Sequence, residues 1–266
     1  MHELTAPHLD RLRRLVPSHR SAGHMATVHA VIDGLQPGNV FVDDLRSPRS
    51  ALVFNQSFGF ALGEARPELA APMLPLLLAQ PWMSAQATAL WCTAPAWGPA
   101  LRPFFREERS RDEFHFEPTR VPVAPRLPEG YRLQPLDEDL ATRLGNGLDA
   151  WVVRTWGGPA RLVKLGFGMI VLCGEALVTS CTACALGGHP GEVEAEIAIA
   201  TDPAHRQKGL ALAAAVAFFE QCRERAVTPA WTCDSRNLPS QRAAVRLGFQ
   251  EFRKIVGFRM RPDALA

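Results

Sequence analysis

Residues 192–224 read EVEAEIAIATDPAHRQKGLALAAAVAFFEQCRE, and this stretch decides the fold. Ile197, Ile199 and the small residues between them form a short apolar run that suits a buried strand. Asp202-Pro203 breaks it. From Leu210 to Phe219 the chain is apolar on nearly every side, which fits a helix covered by a sheet and its neighbours. Between strand and helix stands Arg206-Gln207-Lys208-Gly209-Leu210-Ala211. A glycine in the first turn lets a ligand approach the backbone, and the free amides of the helix start favour an anion, most simply a phosphate.

This segment resembles the signature of the GNAT acyltransferase superfamily: Arg or Gln, two residues, Gly, one residue, then Gly or Ala. Arg206, Gly209 and Ala211 match it position by position. A second block lies downstream. Trp231-Thr232-Cys233-Asp234 reads as the next strand, and Asn237 stands eleven positions before Gly248-Phe249, which is similar to the family's Asn-to-Gly-Phe helix segment. The resemblance covers residues 129–262, about half of the chain.

The 266 residues allow one large domain or two modest ones, and 47% hydrophobic with 21% charged residues describes an ordinary globular protein. A formal net charge of +2 implies no general affinity for nucleic acid. The first twenty residues carry charges where a signal peptide needs an apolar core, and the apolar stretch after Leu210 is about half of the ~20 residues a spanning helix requires. No membrane association is expected. Six scattered cysteines read as reduced, buried thiols of a cytoplasmic protein. Cys181 and Cys184 form a CxxC, but in a strand they face opposite sides and suit no common metal.

Pro118, Pro122, Pro125 and Pro128 mark a semi-extended linker over residues 118–128. It divides an N-terminal α+β lobe (1–117) from a GNAT domain (129–266). In the second half the pattern predicts a strand at Tyr131–Leu136, a helix capped by Asp137 and running to about Val153, and a helix over Pro159–Leu165. Strands Gly168–Cys173 and Ala176–Ala185 follow around Gly174-Glu175, then the strand from Glu194, its helix, the strand at Trp231, a helix after Pro239 and a strand over Phe252–Met260. This is the GNAT order, so the resemblance implies an α/β (α+β) fold with a mixed, mostly antiparallel sheet flanked by helices. The first half shows nearly the same order in shorter pieces, including a strongly apolar helix over Pro67–Gln80 and a strand over Glu113–Glu117. It reads as a smaller, degenerate lobe of similar topology. Its loop Leu62-Gly63-Glu64-Ala65-Arg66-Pro67 lacks the signature spacing, so no second cofactor is expected there.

The resemblance implies transfer of an acetyl or other short acyl group from acyl-CoA to a primary amine by direct attack in a ternary complex. Acetyl-CoA is the implied cosubstrate. The amides of Gln207, Lys208, Gly209, Leu210 and Ala211 would hold the pyrophosphate, with Arg206 and Lys208 adding charge. The pantetheine arm would lie along Ile199, Ala200 and Thr201, where a backbone amide faces the thioester oxygen, with Asn237 and Ser240 on the other side. For the base, Glu194 and Glu196 share one face of the strand. Glu196 is favoured, and Asp234 competes. Many family members carry a tyrosine seven residues after the Asn, to protonate the leaving thiolate. Here that position is Ala244, and the single tyrosine, Tyr131, reads as core. Trp151, Trp156 and Glu194 fall where the acceptor pocket belongs. The acceptor is a small-molecule or peptidyl amine, and a homodimer is compatible with the apolar surface. The alternative reading is a non-catalytic acyl-CoA-binding sensor or scaffold, which the missing tyrosine and the extra lobe favour. Since every implied cofactor contact lies in residues 129–266, that half alone is expected to bind CoA.

Overall fold

A computed structural model describes residues 1–6, 8–16, 25–56, 58–69, 72, 75, 88–116 and 123–260. The helix expected over Pro67–Gln80 falls mostly outside these residues, as does the first part of the proline-rich linker; of that helix only a 3₁₀ turn, Pro67–Leu69, is described in continuous form. In chain order the first half contributes β1 (His2–Glu3), a 3₁₀ helix (His8–Leu15), α1 (Ala26–Ile32), β2 (Gly38–Val42), β3 (Ser50–Asn55), β4 (Phe58–Gly63), β5 (Thr88–Cys92), α2 (Trp97–Leu101) and β6 (Glu108–Phe116). The second half contributes β7 (Tyr131–Pro135), α3 (Glu138–Gly145), α4 (Ala150–Thr155), α5 (Pro159–Leu165), β8 (Gly168–Cys173), β9 (Ala176–His189), β10 (Glu192–Thr201), α6 (Leu210–Glu224), β11 (Thr228–Asp234), α7 (Leu238–Arg246) and β12 (Phe249–Met260). The helix expected from Asp137 to Val153 is two helices, because Gly145-Asn146-Gly147 ends the first turn run; Asp137 does cap α3, accepting from the Leu140 amide at 2.8 Å.

All strands join one sheet in the order β1-β2-β3-β4-β5-β12-β6-β11-β10-β9-β8-β7. Each half shows the same scheme: antiparallel β2–β3–β4 then parallel β4–β5, and antiparallel β8–β9–β10 then parallel β10–β11. The last strand of each half crosses to the other. β6 pairs with β11 of the second half, β12 pairs with β5 of the first, and β6 and β12 pair with each other at the centre. The linker is thus a boundary in sequence across which the sheet is continuous.

α6 covers one face of the second half. Leu210, Ala214, Phe218 and Phe219 pack with Ala195, Ile197, Trp231 and Phe249, and each large side chain so buried contributes about 1.5–3 kcal/mol. The opposite face carries α3, α4 and α5 around Trp156 and Leu162. Cys181 packs into the first of these cores and Cys184 into the second, as strand alternation requires. α1 of the first half also lies on this second face, against β9, where a Cβ on Gly187 would come 2.6 Å from that of His29. A bulge in β9 at Cys184 leaves its carbonyl unused by β10, and Gln36 Nε2 donates to it at 2.7 Å. Arg161 donates to the Leu35 carbonyl at 3.0 Å and to that of Gly34, clamping the same first-half turn. Among the described residues no helix is long and apolar enough to cross a membrane.

Strand exchange has a direct consequence for the isolated second half. A fragment of residues 129–266 leaves the outer edge of β11 and both edges of β12 without partners, so it is expected to unfold or aggregate. Circular dichroism and gel filtration of the fragment check this; a monomeric, folded fragment that binds CoA would show that β12 can return to its own half.

Candidate functional site

β10 and β11 are hydrogen-bonded only at Glu194, Ala195 and Glu196, opposite Thr228, Pro229 and Ala230. Beyond that point they part: β10 continues to Thr201 against β9, and β11 continues to Asp234 against β6. The gap opens into a cleft of about 1390 Å³ that includes Ile199, Ala200, Thr201, Arg206, Gln207, Gly209, Leu210 and Ala211 on one side and Asn237 and Ser240 on the other. Two parting parallel strands leave unpaired backbone into which an extended ligand fits as a further strand.

The loop at its head has the geometry of an anion site. Gly209, the N-cap of α6, has φ +76°, and Gln207 has φ +62°, a left-handed conformation rare outside glycine. Among the described residues the amides of Gln207 through Ala211 have no protein acceptor. Alternating left-handed residues before a helix start form a nest of donors for phosphate. The basic side chains brace this loop. Arg206 Nε donates to the Thr201 carbonyl at 3.2 Å, and Lys208 Nζ donates to the Tyr131 hydroxyl at 2.8 Å, which also bonds His205 Nδ1 at 2.9 Å. Tyr131, read from the sequence as core, is half-buried and holds the loop; Lys208 leans on its ring and is not among the residues lining the cleft.

Asn237 caps α7, its Oδ1 accepting from the Ser240 amide at 3.2 Å, and Ser240 Oγ accepts from Trp231 Nε1 at 3.1 Å. The capping role expected of Asn237 and a place on the cleft wall coexist. Ala244 is fully buried, so a tyrosine at that position would have to displace core packing here.

The two carboxylates expected as bases are both committed to arginines. Glu196, 2% exposed where the strands part, accepts from Arg111 of β6, from Thr232 Oγ1 at 2.7 Å and from Thr27 Oγ1 of α1 at 3.4 Å. Arg111 is itself buried, with its guanidinium carbon 5.0 Å and 5.5 Å from the ring centres of Phe58 and Trp91. That bonding suits a pin between the halves better than a proton acceptor. Asp234 accepts from Arg109 Nη2 at 2.5 Å and Arg236 Nε at 3.1 Å. Burial would raise its pKa, but the Arg236 and Arg109 bonds together hold it well below the usual carboxylate range, which makes it a poor base. Neither residue lines the cleft.

Of the acceptor candidates, Trp156 is fully buried and donates to the Ala183 carbonyl at 2.8 Å, so it is core. Trp151 is half-buried and meets Phe58 of the first half edge-on at 5.7 Å. Glu194 is buried near His29 of α1, which burial and the neighbouring His189 lower to a pKa of about 4. Glu194, Glu196, Thr27, His29, Phe58, Trp151 and Arg111 therefore meet where the two halves touch.

Sequence reading missed one titratable group. Asp149, at the start of α4, is 4% exposed and accepts from Ser180 Oγ at 3.0 Å. Burial pushes its carboxyl up to about 6, against the bonds from Ser180 and Trp151 that pull it down. A carboxyl raised in the folded state favours folding most below its unfolded pKa, and that contribution disappears as pH rises through about 6. Asp149→Asn should therefore raise Tm at pH 8 by the equivalent of up to about 3 kcal/mol and change little at pH 4; scanning calorimetry at the two pH values checks this.

Comparison with known proteins agrees with this geometry. The chain is 27% identical over 227 residues to the uncharacterized N-acetyltransferase YdfB of Bacillus subtilis (strain 168), covering 84% of this chain and 85% of that one. Its fold is similar to that of a GCN5-related N-acetyltransferase-like protein from Streptococcus suis 89/1591, with a TM-score of 0.72 and 22% identity over 96% of this chain and 100% of that one. It is also similar to a tandem GNAT protein from the clavulanic acid biosynthesis pathway, with a TM-score of 0.60 and 12% identity over 98% and 99% of the two chains. The GNAT acetyltransferase family model matches residues 19–258, nearly the whole of both halves, and the chain belongs to that family of N-acetyltransferases.

Proposed function

We propose that the chain moves an acetyl group, or another short acyl group, from acyl-CoA to a primary amine in a ternary complex. The observation that carries this reading is the parting of β10 and β11 directly onto a loop of free amides. The same elements in the first half are closed. β4 and β5 stay paired from Phe58 to Ala61, Thr93 then donates to the Ala61 carbonyl by both its amide and Oγ1, and Trp97 Nε1 occupies the Gly63 carbonyl. One cofactor per chain follows.

The bound acyl-CoA supplies an acyl group already activated as a thioester, so the protein needs only to bind, orient and manage protons. Amides of Gln207 through Ala211 hold the pyrophosphate, with Arg206 adding charge beside them. Ile199, Ala200 and Thr201 present backbone to the pantetheine arm, Asn237 and Ser240 close the opposite wall, and an amide of β10 stabilises the thioester oxygen as it gains charge. Trp151 meets Phe58 of the first half edge-on, which supports an acceptor pocket built by the two halves together.

The test is thiol release from acetyl-CoA in the presence of a panel of alkylamines, amino acids and short peptides. Steady CoA formation with one amine class supports transfer. Tight acetyl-CoA binding without turnover for any amine would favour the sensor or scaffold instead.

A further inference from the structure

The cleft does not end at the amide nest. Its far wall continues along α7, where Arg242, Val245 and Arg246 line it beyond Asn237 and Ser240. Positions i, i+3 and i+4 share one face of a helix, so these three side chains form a single patch. A rise of 1.5 Å per residue carries Arg242 and Arg246 about 8 and 14 Å along the helix axis from the Asn237 cap.

The patch is unmatched within the protein. Both arginines are exposed, and among the described residues neither side chain forms a hydrogen bond or an ion pair. Like charges four residues apart on a helix destabilise it. The last turn of a helix favours a cation, which accounts for Arg246 but not for Arg242 in mid-helix. Val245 is 62% exposed, one of four large apolar side chains left so among the described residues. An exposed valine alone is ordinary; flanked by two arginines on a cleft wall, it makes a surface apolar at its middle and cationic at its sides.

The charged side chains lining the cleft are Arg206, Arg242 and Arg246 against Glu251, three cations to one acid. Glu251 bridges none of these arginines, and His205, also on the cleft, is bonded to the Tyr131 hydroxyl. Coenzyme A carries two separate anionic groups: its pyrophosphate, and a phosphate on the 3′ oxygen of the adenosine ribose with the flat adenine beside it. The amide nest and Arg206 answer the first. The α7 patch has the chemistry of the second, guanidinium groups for a dianion and a valine for the face of a base.

We propose that Arg242 and Arg246 bind the 3′-phosphate of CoA, with Val245 against the adenine, and that this patch selects CoA thioesters over donors lacking that phosphate. This rests on the acyl-CoA reading above. A donor without the 3′-phosphate leaves the two guanidinium groups repelling each other across an unfilled site, so discrimination comes from the loss as well as from the contact.

The experiment is calorimetric titration of the full chain with CoA and with 3′-dephospho-CoA at low salt. The wild type should bind CoA about tenfold or more tightly than dephospho-CoA. The double variant Arg242→Gln with Arg246→Gln should lose affinity for CoA by that factor and keep its affinity for dephospho-CoA within about twofold, so that the preference disappears. Val245→Asp should weaken both ligands by about threefold or more, since both carry the adenine. All three side chains are exposed, so these variants fold. A wild type that binds the two ligands equally, or a double variant that keeps the preference, overturns the proposal and leaves the transferase reading standing. A wild type that binds neither ligand overturns both.

Discussion

Arg111→Met is expected to destabilise the full chain by about 3–5 kcal/mol, the largest stability loss of any single change at the site. The guanidinium is the principal partner of Glu196, and both groups are buried. Removing one member of a buried pair strands the other charge out of water, whereas replacing both by apolar groups of similar size is near neutral or stabilising. The double variant Arg111→Met with Glu196→Leu should therefore recover most of the loss. Urea denaturation of the three variants measures it. An Arg111→Met protein as stable as the wild type would mean that the pair is not what joins β6 to β10.

Gly209→Glu is expected to abolish CoA binding, a loss of at least about 10³-fold in affinity. The residue has φ +76°, which L side chains adopt at a cost of roughly 1–2 kcal/mol, and the carboxylate would stand where the nest of amides faces phosphate. Gly209→Ala separates the two causes, since it adds the strain without the charge and should weaken binding only modestly. Calorimetric titration of CoA decides, with retained binding in the Glu variant placing the pyrophosphate elsewhere.

The second half is readable because its local signals agree with its fold. Helix Pro159–Leu165 and strand Gly168–Cys173 are bounded by glycine and proline turns and lie where their patterns place them, and the strand, loop and helix around Gly209 need no long-range contact to be recognised. β6 shows the opposite case. The sequence places the start of this strand at Glu113, but it begins at Glu108, in the highly charged run Glu108-Arg-Ser-Arg-Asp-Glu113. These residues are strand because each buried charge finds a partner far along the chain: Arg111 with Glu196 of β10, Glu113 with Arg253 of β12 at 2.6 Å, and Asp112 with Ser235 of the turn after β11 at 2.6 Å and Gln241 of α7 at 2.8 Å. Pairing across 85 to 140 residues leaves no periodic trace, so neither the strand nor the exchange it takes part in is visible locally.

The same reason governs the site. Backbone-borne features, the parted strands and the amide nest, follow from local spacing. Side-chain roles do not, because Glu196 and Asp234 look like available bases until arginines from the other half of the chain, or from two residues away, reach them. Asp149 went unnoticed because the helix expected from Asp137 to about Val153 leaves it inside a helical run; its burial against Ser180 comes from the break before α4 and the packing of α4 on β9. Trp156 could have been recognised as core, since it follows Val152 and Val153 at helical spacing on the apolar face of α4.

The most direct measurement is a crystal structure of the full chain grown with CoA. One CoA per chain is expected, with its pyrophosphate on the amides of residues 207–211 and its pantetheine arm between Ile199–Thr201 and the wall of Asn237 and Ser240. CoA bound between β4 and β5 of the first half, or a cleft between β10 and β11 that stays empty at saturating CoA, would contradict the assignment.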